Sequence, residues 1–234
     1  MSSGPRRAQG DSVRPKLSPL WLLLVVGAAL ALVVLALAPE IDLYVAGLFH
    51  RPLGFVATGP LARFGRNVFR IAPFVFLAVS ALFYLARRFG VWAPCAPSGR
   101  GVLFLALTMA VGPGLIVNLA LKDHTHRPRP VHVEEFGGTL TFRPWESVDG
   151  GCDKNCSFAS GEASSGFWMI APALLTPPPI RGVALALALA FGAAASLLRM
   201  AAGAHFLSDV IAGGLVSIVV VLATRRALWP RDGL

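Results

Sequence analysis

Six stretches of the chain, residues 20–38, 68–86, 102–121, 160–175, 180–198 and 209–224, are apolar over nearly the length needed to cross a membrane. A hydrocarbon core of about 30 Å takes roughly 20 helical residues. In lipid, every backbone N–H and C=O must find its partner within the protein, so continuous apolar runs of this length are read as helices. Composition agrees, since 55% of the 234 residues are hydrophobic and only 14% are charged, against roughly 25% charged in a soluble domain. The expected fold is all-α: a polytopic membrane protein with six transmembrane helices in one bundle and both termini on one side.

The polar remainder is short. Residues 1–19, rich in Gly, Ser, Pro and Arg, read as a flexible cytoplasmic tail. Residues 20–226 form the membrane domain, and residues 227–234 a cytoplasmic carboxy-terminal tail. Arg14 and Lys16 ahead of the first run, with Ala-Leu-Ala at its end, imitate a secretory leader, but the run exceeds the 7–15 residues of a leader's core and is read as an uncleaved helix. Between the first two runs, Leu43 to Phe49 is amphipathic enough for a short helix lying in the interface. Lys122 to Phe158, the longest polar segment, is the expected outer catalytic loop, because long ordered loops tend to carry function. Three prolines at Pro177 to Pro179 forbid helix continuation and make a tight turn. Gly161, Ala163, Ser164, Ser165 and Gly166 let helix backbones approach closely.

The net charge of +9 does not indicate nucleic acid, because its meaning depends on placement. With the amino terminus cytoplasmic, Arg87, Arg88, Arg100, Arg181, Arg225 and Arg226 flank inner helix ends. The basic residues divide almost evenly between the two sides, so the orientation rests on the outer ones forming clusters suited to chemistry. Cys152 and Cys156 fall in the outer loop, where a disulfide fits an oxidising compartment. A zinc site is the poorer reading, as no histidine stands at the usual spacing. Cys95, beside Pro94 and Pro97, reads as an inner free thiol.

Three polar clusters each stand at the outer end of a run: Lys122 to Pro130, Ser157 to Glu162 and Arg199 to Asp209. Ionisable groups at the edge of a lipid-embedded bundle are costly and are functional by default. Lys122, Arg129 and Arg199, if brought together, would repel one another unless an anion lay between them. Phosphate suits them, since guanidinium forks match its oxygens and lysine supplies a point charge. Ser160 and Gly161 stand where the fourth helix begins, and helix amino termini bind phosphate through free N–H groups. His205 and Asp209 are four apart, so on a helix they share a face. A carboxylate on one ring nitrogen makes the other a better nucleophile.

The segments Lys122-Asp-His-Thr-His-Arg-Pro-Arg129-Pro130, Ala159-Ser160-Gly161-Glu162 and Arg199-Met-Ala-Ala-Gly-Ala-His205-Phe-Leu-Ser-Asp209 resemble the three-part signature of the type 2 phosphatidic acid phosphatase family. The resemblance implies a metal-independent phosphatase. His205 would attack phosphorus and carry the phosphoryl group, and Asp209 would orient it. Lys122, Arg129, Arg199, Ser160 and Gly161 would hold the phosphoryl oxygens.

Three positions depart from the signature: Ala159 replaces a proline, Leu198 a serine, and Glu162 the second histidine that helps protonate the departing oxygen. Glu162 is therefore the expected general acid, with His124 and His126 as alternatives. No cofactor or metal is expected. The expected substrate is a lipid phosphate: lipid A first, for the size of the loop from Val131 to Asp153, then phosphatidylglycerol phosphate, phosphatidic acid or an undecaprenyl carrier. The expected setting is a bacterial inner membrane with the site facing the periplasm. A lipid-to-lipid phosphotransferase and a degenerate anionic-lipid-binding protein are the other readings.

Overall fold

The computed structural model describes residues 18–122 and 124–230. Residues 1–17, Asp123 and residues 231–234 lie outside the described residues, and with them most of the two expected tails and Arg6, Arg7, Arg14, Lys16 and Arg231. Eight α-helices carry the described chain: α1 (Pro19–Leu37), α2 (Glu40–Gly47), α3 (Pro60–Arg88), α4 (Gly99–Met109), α5 (Gly161–Trp168), α6 (Ile170–Leu174), α7 (Pro178–Ala201) and α8 (Leu207–Leu228). A two-residue hairpin, β1 (His50–Arg51) against β2 (Gly54–Phe55), joins α2 to α3. Five helices are long and apolar enough to cross a membrane: α1, α3, α4 with its continuation to Leu121, α7 and α8. The chain is accordingly a multi-pass membrane protein. The surfaces of α1 and α3 fit that solvent, with Leu23 70%, Leu30 59% and Phe74 53% exposed, an apolar shell that water would not tolerate.

Prolines shape the bundle at two points that matter to the site. Beyond Met109, α4 continues as a π-helix, Ala110–Leu121, around Pro113. Proline cannot donate to the helix ladder, and a wider register is one way to absorb the loss. The wide register ends with Lys122 N–H donating to Val117 C=O. Pro172 likewise withholds the N–H that Trp168 C=O would accept, and the chain breaks at Met169 between α5 and α6. The fourth apolar run, expected as one helix, is thus two short ones.

Those two pieces are the centre of the bundle. Ala163, Ser164, Ser165, Gly166, Trp168 and all of Ile170–Leu174 are buried. Trp168 donates to Thr108 Oγ1 of α4 at 2.9 Å, and the Ser164 and Ser217 hydroxyls, 2.8 Å apart, tie α5 to α8. The main apolar core gathers Trp21, Phe104, Leu105, Met109, Trp168, Ile170 and Val221 around this axis. At one end, α2 closes over the polar loop through Ala46, Val133 and Phe206, with Leu43, Phe136 and Phe142 against them.

The second run begins earlier than its apolar stretch suggests. Pro60, in the first turn of α3, has a fixed φ suited to a helix start. The 29 residues of α3 extend about 44 Å at 1.5 Å each, more than a hydrocarbon core requires. Its first two turns, carrying Arg63, Arg66 and Asn67, project to the end of the bundle where the polar loop lies.

Candidate active site

The loop between α7 and α8 holds His205, which is buried with 2% of its surface exposed. Its Nδ1 lies 2.8 Å from the Ser157 carbonyl oxygen. A carbonyl only accepts, so Nδ1 carries the proton and Nε2 keeps its lone pair. The Asp209 carboxylate is 3.6 Å from the same nitrogen. The spacing of four therefore brings the two residues together, but not as neighbours on one helix: α8 starts at Leu207 and His205 precedes it. Asp209 instead accepts at Oδ2 from the Phe206 N–H (2.7 Å) and the Ser157 hydroxyl (2.5 Å). It closes the first turn of α8 and fixes the segment that presents His205. Burial drives the His205 imidazole down to about 4; the neighbouring Asp209 pulls the other way, while Arg129 and Arg199 push further down.

Ser160 is the N-cap of α5, its hydroxyl accepting from Ala163 N–H at 3.3 Å, and its own N–H donates to Asp209 C=O at 3.0 Å. The start of α5 is thereby pinned to the start of α8. Gly161 and Glu162 follow as the first helical residues, whose N–H groups have no acceptor within the helix. A side chain at 161 would put its Cβ 2.6 Å from Asn118 Oδ1, so only glycine lets α5 sit against the π-helical segment. Asn118 is one turn before Lys122, which ends that segment on the same side.

Arg199, in the last turn of α7, is buried. Its Nε stands 3.2 Å from Glu162 Oε2, an ion pair in which the N–H is not aimed at the oxygen. The other oxygen, Glu162 Oε1, accepts from Arg66 Nε at 3.0 Å. Arg129 donates from Nε and one terminal nitrogen to the Asn155 carbonyl at 3.2 and 2.9 Å. Burial lowers its pKa, as does the nearby Arg66 charge, opposed by Asp209 and Glu162. Three guanidinium groups thus share one neighbourhood with Glu162 and His205. His124 is exposed, and His126 turns its Nδ1 to the Cys152 carbonyl at 2.9 Å. Cys152 and Cys156 form a disulfide with Cα atoms 5.7 Å apart, and Cys95 is free and exposed. Among the described residues no group of His, Cys, Asp and Glu could hold a metal ion.

Four residues here escape a reading by motif: Arg66, Ser157, Arg127 and Asp42. Arg66 belongs to a polar helix stripe, Arg63, Arg66, Asn67 and Arg70, and that periodicity was the available signal. Asp42 gave none, for its partners lie more than 80 residues away.

Helices long and apolar enough to cross a membrane thus carry, at one end, a buried imidazole close to arginines and to a helix amino terminus, a set of groups with the chemistry to hold an anion. A family model described as the PAP2 superfamily matches residues 101–232. The chain belongs to that superfamily. It is 46% identical over 113 residues to a lipid A 4'-phosphatase of Francisella tularensis subsp. novicida (strain U112), covering 48% of this chain and 51% of that protein. A lipid A 4'-phosphatase of Rhizobium leguminosarum is 43% identical over 116 residues, 50% of each chain. Another from Rhizobium etli is 43% identical over 115 residues, 49% of this chain and 45% of that one. The chain spans about half the length of the curated relatives it matches. No solved structure matches it.

Proposed function

We propose that this protein is a metal-independent membrane phosphatase that removes a phosphate from a lipid-linked ester, lipid A first among the candidates, through a phosphohistidine on His205. The observation that carries the reading is the neutral, buried His205, its Nδ1–H held by the Ser157 carbonyl beside Arg129, Arg199 and the first turn of α5. Nε2 attacks phosphorus, and the developing charge on the phosphoryl oxygens is met by Lys122, Arg129, Arg199, the Ser160 hydroxyl and the N–H groups around Gly161. Water then releases phosphate from the histidine. That the three relatives are lipid A 4'-phosphatases supports lipid A as the substrate.

Glu162 takes the part of general acid in this reading. Its carboxylate pairs with Arg66 and Arg199, which holds it beside the cations that would bind the phosphate, where the departing oxygen needs its proton. A groove of about 460 Å³ on the membrane side, lined by Leu24, Ala28, Leu197, Met200, Leu207 and Ile218 among others, suits the acyl part of such a substrate. The broken pair α5–α6 serves as the sixth crossing, α2 lies in the interface, residues 20–226 act as one domain, and the site faces the periplasm of a bacterial inner membrane.

The test is phosphate release from purified lipid A, phosphatidylglycerol phosphate, phosphatidic acid and undecaprenyl pyrophosphate, for the wild type and His205→Ala. Release from lipid A that His205→Ala abolishes is the expected result. Transfer of the phosphate to a second lipid would make the protein a phosphotransferase. Binding without release from any lipid would make it a binding protein.

A further inference from the structure

Arg127 is completely buried and lies between two carboxylates. Its guanidinium donates to Asp209 Oδ1 at 2.6 Å on one side and to Asp42 Oδ2 at 2.8 Å on the other. It makes two more bonds, to the Ser208 hydroxyl (2.7 Å) and the Arg143 carbonyl (2.9 Å). The rings of Phe206 and Phe142 cover it, the first with its centroid 4.5 Å away. Asp42 is equally buried, and its Oδ1 accepts the Ser208 N–H at 2.9 Å. Asp42 stands on α2, outside the stretch matched by the family model.

A guanidinium so close to Asp209 raises a question of charge. Paired with Asp209 alone, it would neutralise the carboxylate that faces His205. With Asp42 present the buried group holds two carboxylates and one guanidinium, a net charge of one negative. Asp209 Oδ2, which also accepts from the Ser157 hydroxyl and the Phe206 N–H, stands 3.6 Å from the His205 imidazole. We infer that Asp42 is a positioning residue for the reaction: it engages Arg127 so that Asp209 keeps its negative charge available to His205.

The inference rests on the proposed role of His205. In the attack, the Nε2 lone pair forms the N–P bond and the P–O ester bond breaks, its electrons leaving with the oxygen, which is protonated from the site. Nδ1 keeps its proton, so the ring becomes a cation while the phosphoryl group is attached. A negative charge beside the ring favours that state over the free enzyme, and such differential stabilisation raises the rate rather than the affinity.

The test uses the full chain in liposomes and replaces Asp42→Asn, which keeps shape and the acceptor for Ser208 N–H while removing the charge. The expected result is a 10- to 100-fold lower kcat with KM within twofold of wild type. The double variant Asp42→Asn with Arg127→Gln removes the guanidinium together with its counter-ion and leaves Asp209 facing His205; its kcat should recover at least fivefold over Asp42→Asn. Should Asp42→Asn not fold, a folded double variant within tenfold of wild-type kcat carries the inference. Asp42→Asn with wild-type kcat, or a folded double variant no faster than the single one, overturns the counter-ion role and leaves the reading of His205 standing. Full activity in His205→Ala overturns both.

Discussion

Gly161→Ala asks how much of the chemistry depends on where α5 begins. The added methyl would lie 2.6 Å from Asn118 Oδ1 and 3.2 Å from its Nδ2. A carbon–oxygen contact settles at about 3.3 Å or more, so something must move by roughly 0.7 Å. Asn118 is not free to swing, because its Nδ2 donates to the Pro113 carbonyl at 2.7 Å. Helix α5 cannot retreat easily either: the Ser160 carbonyl is packed against Gly213 of α8, so closely that a Cβ on that glycine would lie 2.5 Å from it. Overpacking of this kind costs about 1–3 kcal/mol. The larger effect falls on activity, since the shift moves the N–H groups and Ser160 hydroxyl that are proposed to receive the phosphoryl oxygens. A displacement near 1 Å in a catalytic constellation is worth about 10²-fold, or roughly 2.7 kcal/mol in the barrier. The assay is kcat/KM for phosphate release in micelles, with thermal inactivation measured in parallel. Asn118→Ala added to Gly161→Ala makes room and should restore part of the loss. A single variant within twofold of wild-type kcat/KM would refute the argument from close packing.

Three further outcomes are expected. His205, held down to about 4 chiefly by burial, should stay unprotonated well below the usual 6.5 of imidazole, so kcat/KM should hold level on acidification and drop only near pH 4. For the same reason the unfolded chain takes up the proton first: this histidine's contribution to stability is complete above pH 6.5 and declines as pH falls from 6.5 to 4, which denaturation at a series of pH values reads. Asp209→Asn should lower kcat by about 10³- to 10⁴-fold while leaving a measurable rate, by analogy with loss of the orienting carboxylate from other histidine-centred sites. Vanadate should inhibit and EDTA should not; activity lost to EDTA and restored by Mg²⁺ would contradict the metal-free reaction.

How far the sequence led depended on the kind of information each element needed. Apolar length alone located α1, α7 and α8, because lipid demands a continuous run and little else satisfies it. It missed the first two turns of α3, since Arg63, Arg66 and Asn67 belong to a helix by periodicity and by the proline that starts it, while leaving the apolar count. It also joined α5 to α6, where Pro172 ends the hydrogen-bond ladder inside a run that remains wholly apolar. The three motifs placed Lys122, Ser160, Gly161, Arg199 and His205 at one end of the bundle because local spacing and helix ends are readable one segment at a time.

The partners inside the site were harder, and Asp209 shows why. A spacing of four suggested a direct contact along a helix, yet the bond to His205 Nδ1 comes from the Ser157 carbonyl, 48 residues away. A backbone carbonyl carries no signature in a sequence, so any motif names side chains and omits such acceptors. Asp209 meanwhile meets Arg127 and, through it, Asp42. Within the motif, Arg127 resembles one more basic loop residue beside Arg129. Only burial separates them: Arg129 remains partly exposed with its guanidinium on the Asn155 carbonyl, while Arg127 turns inward under Phe206 and must be neutralised where it lies. Two arginines two residues apart therefore do opposite work. One carboxylate balances the inner one, and if that were Asp209 alone its charge would be silenced. On the inference drawn above the second, Asp42 on α2, comes from an element beyond the motifs and leaves the buried trio one net negative charge.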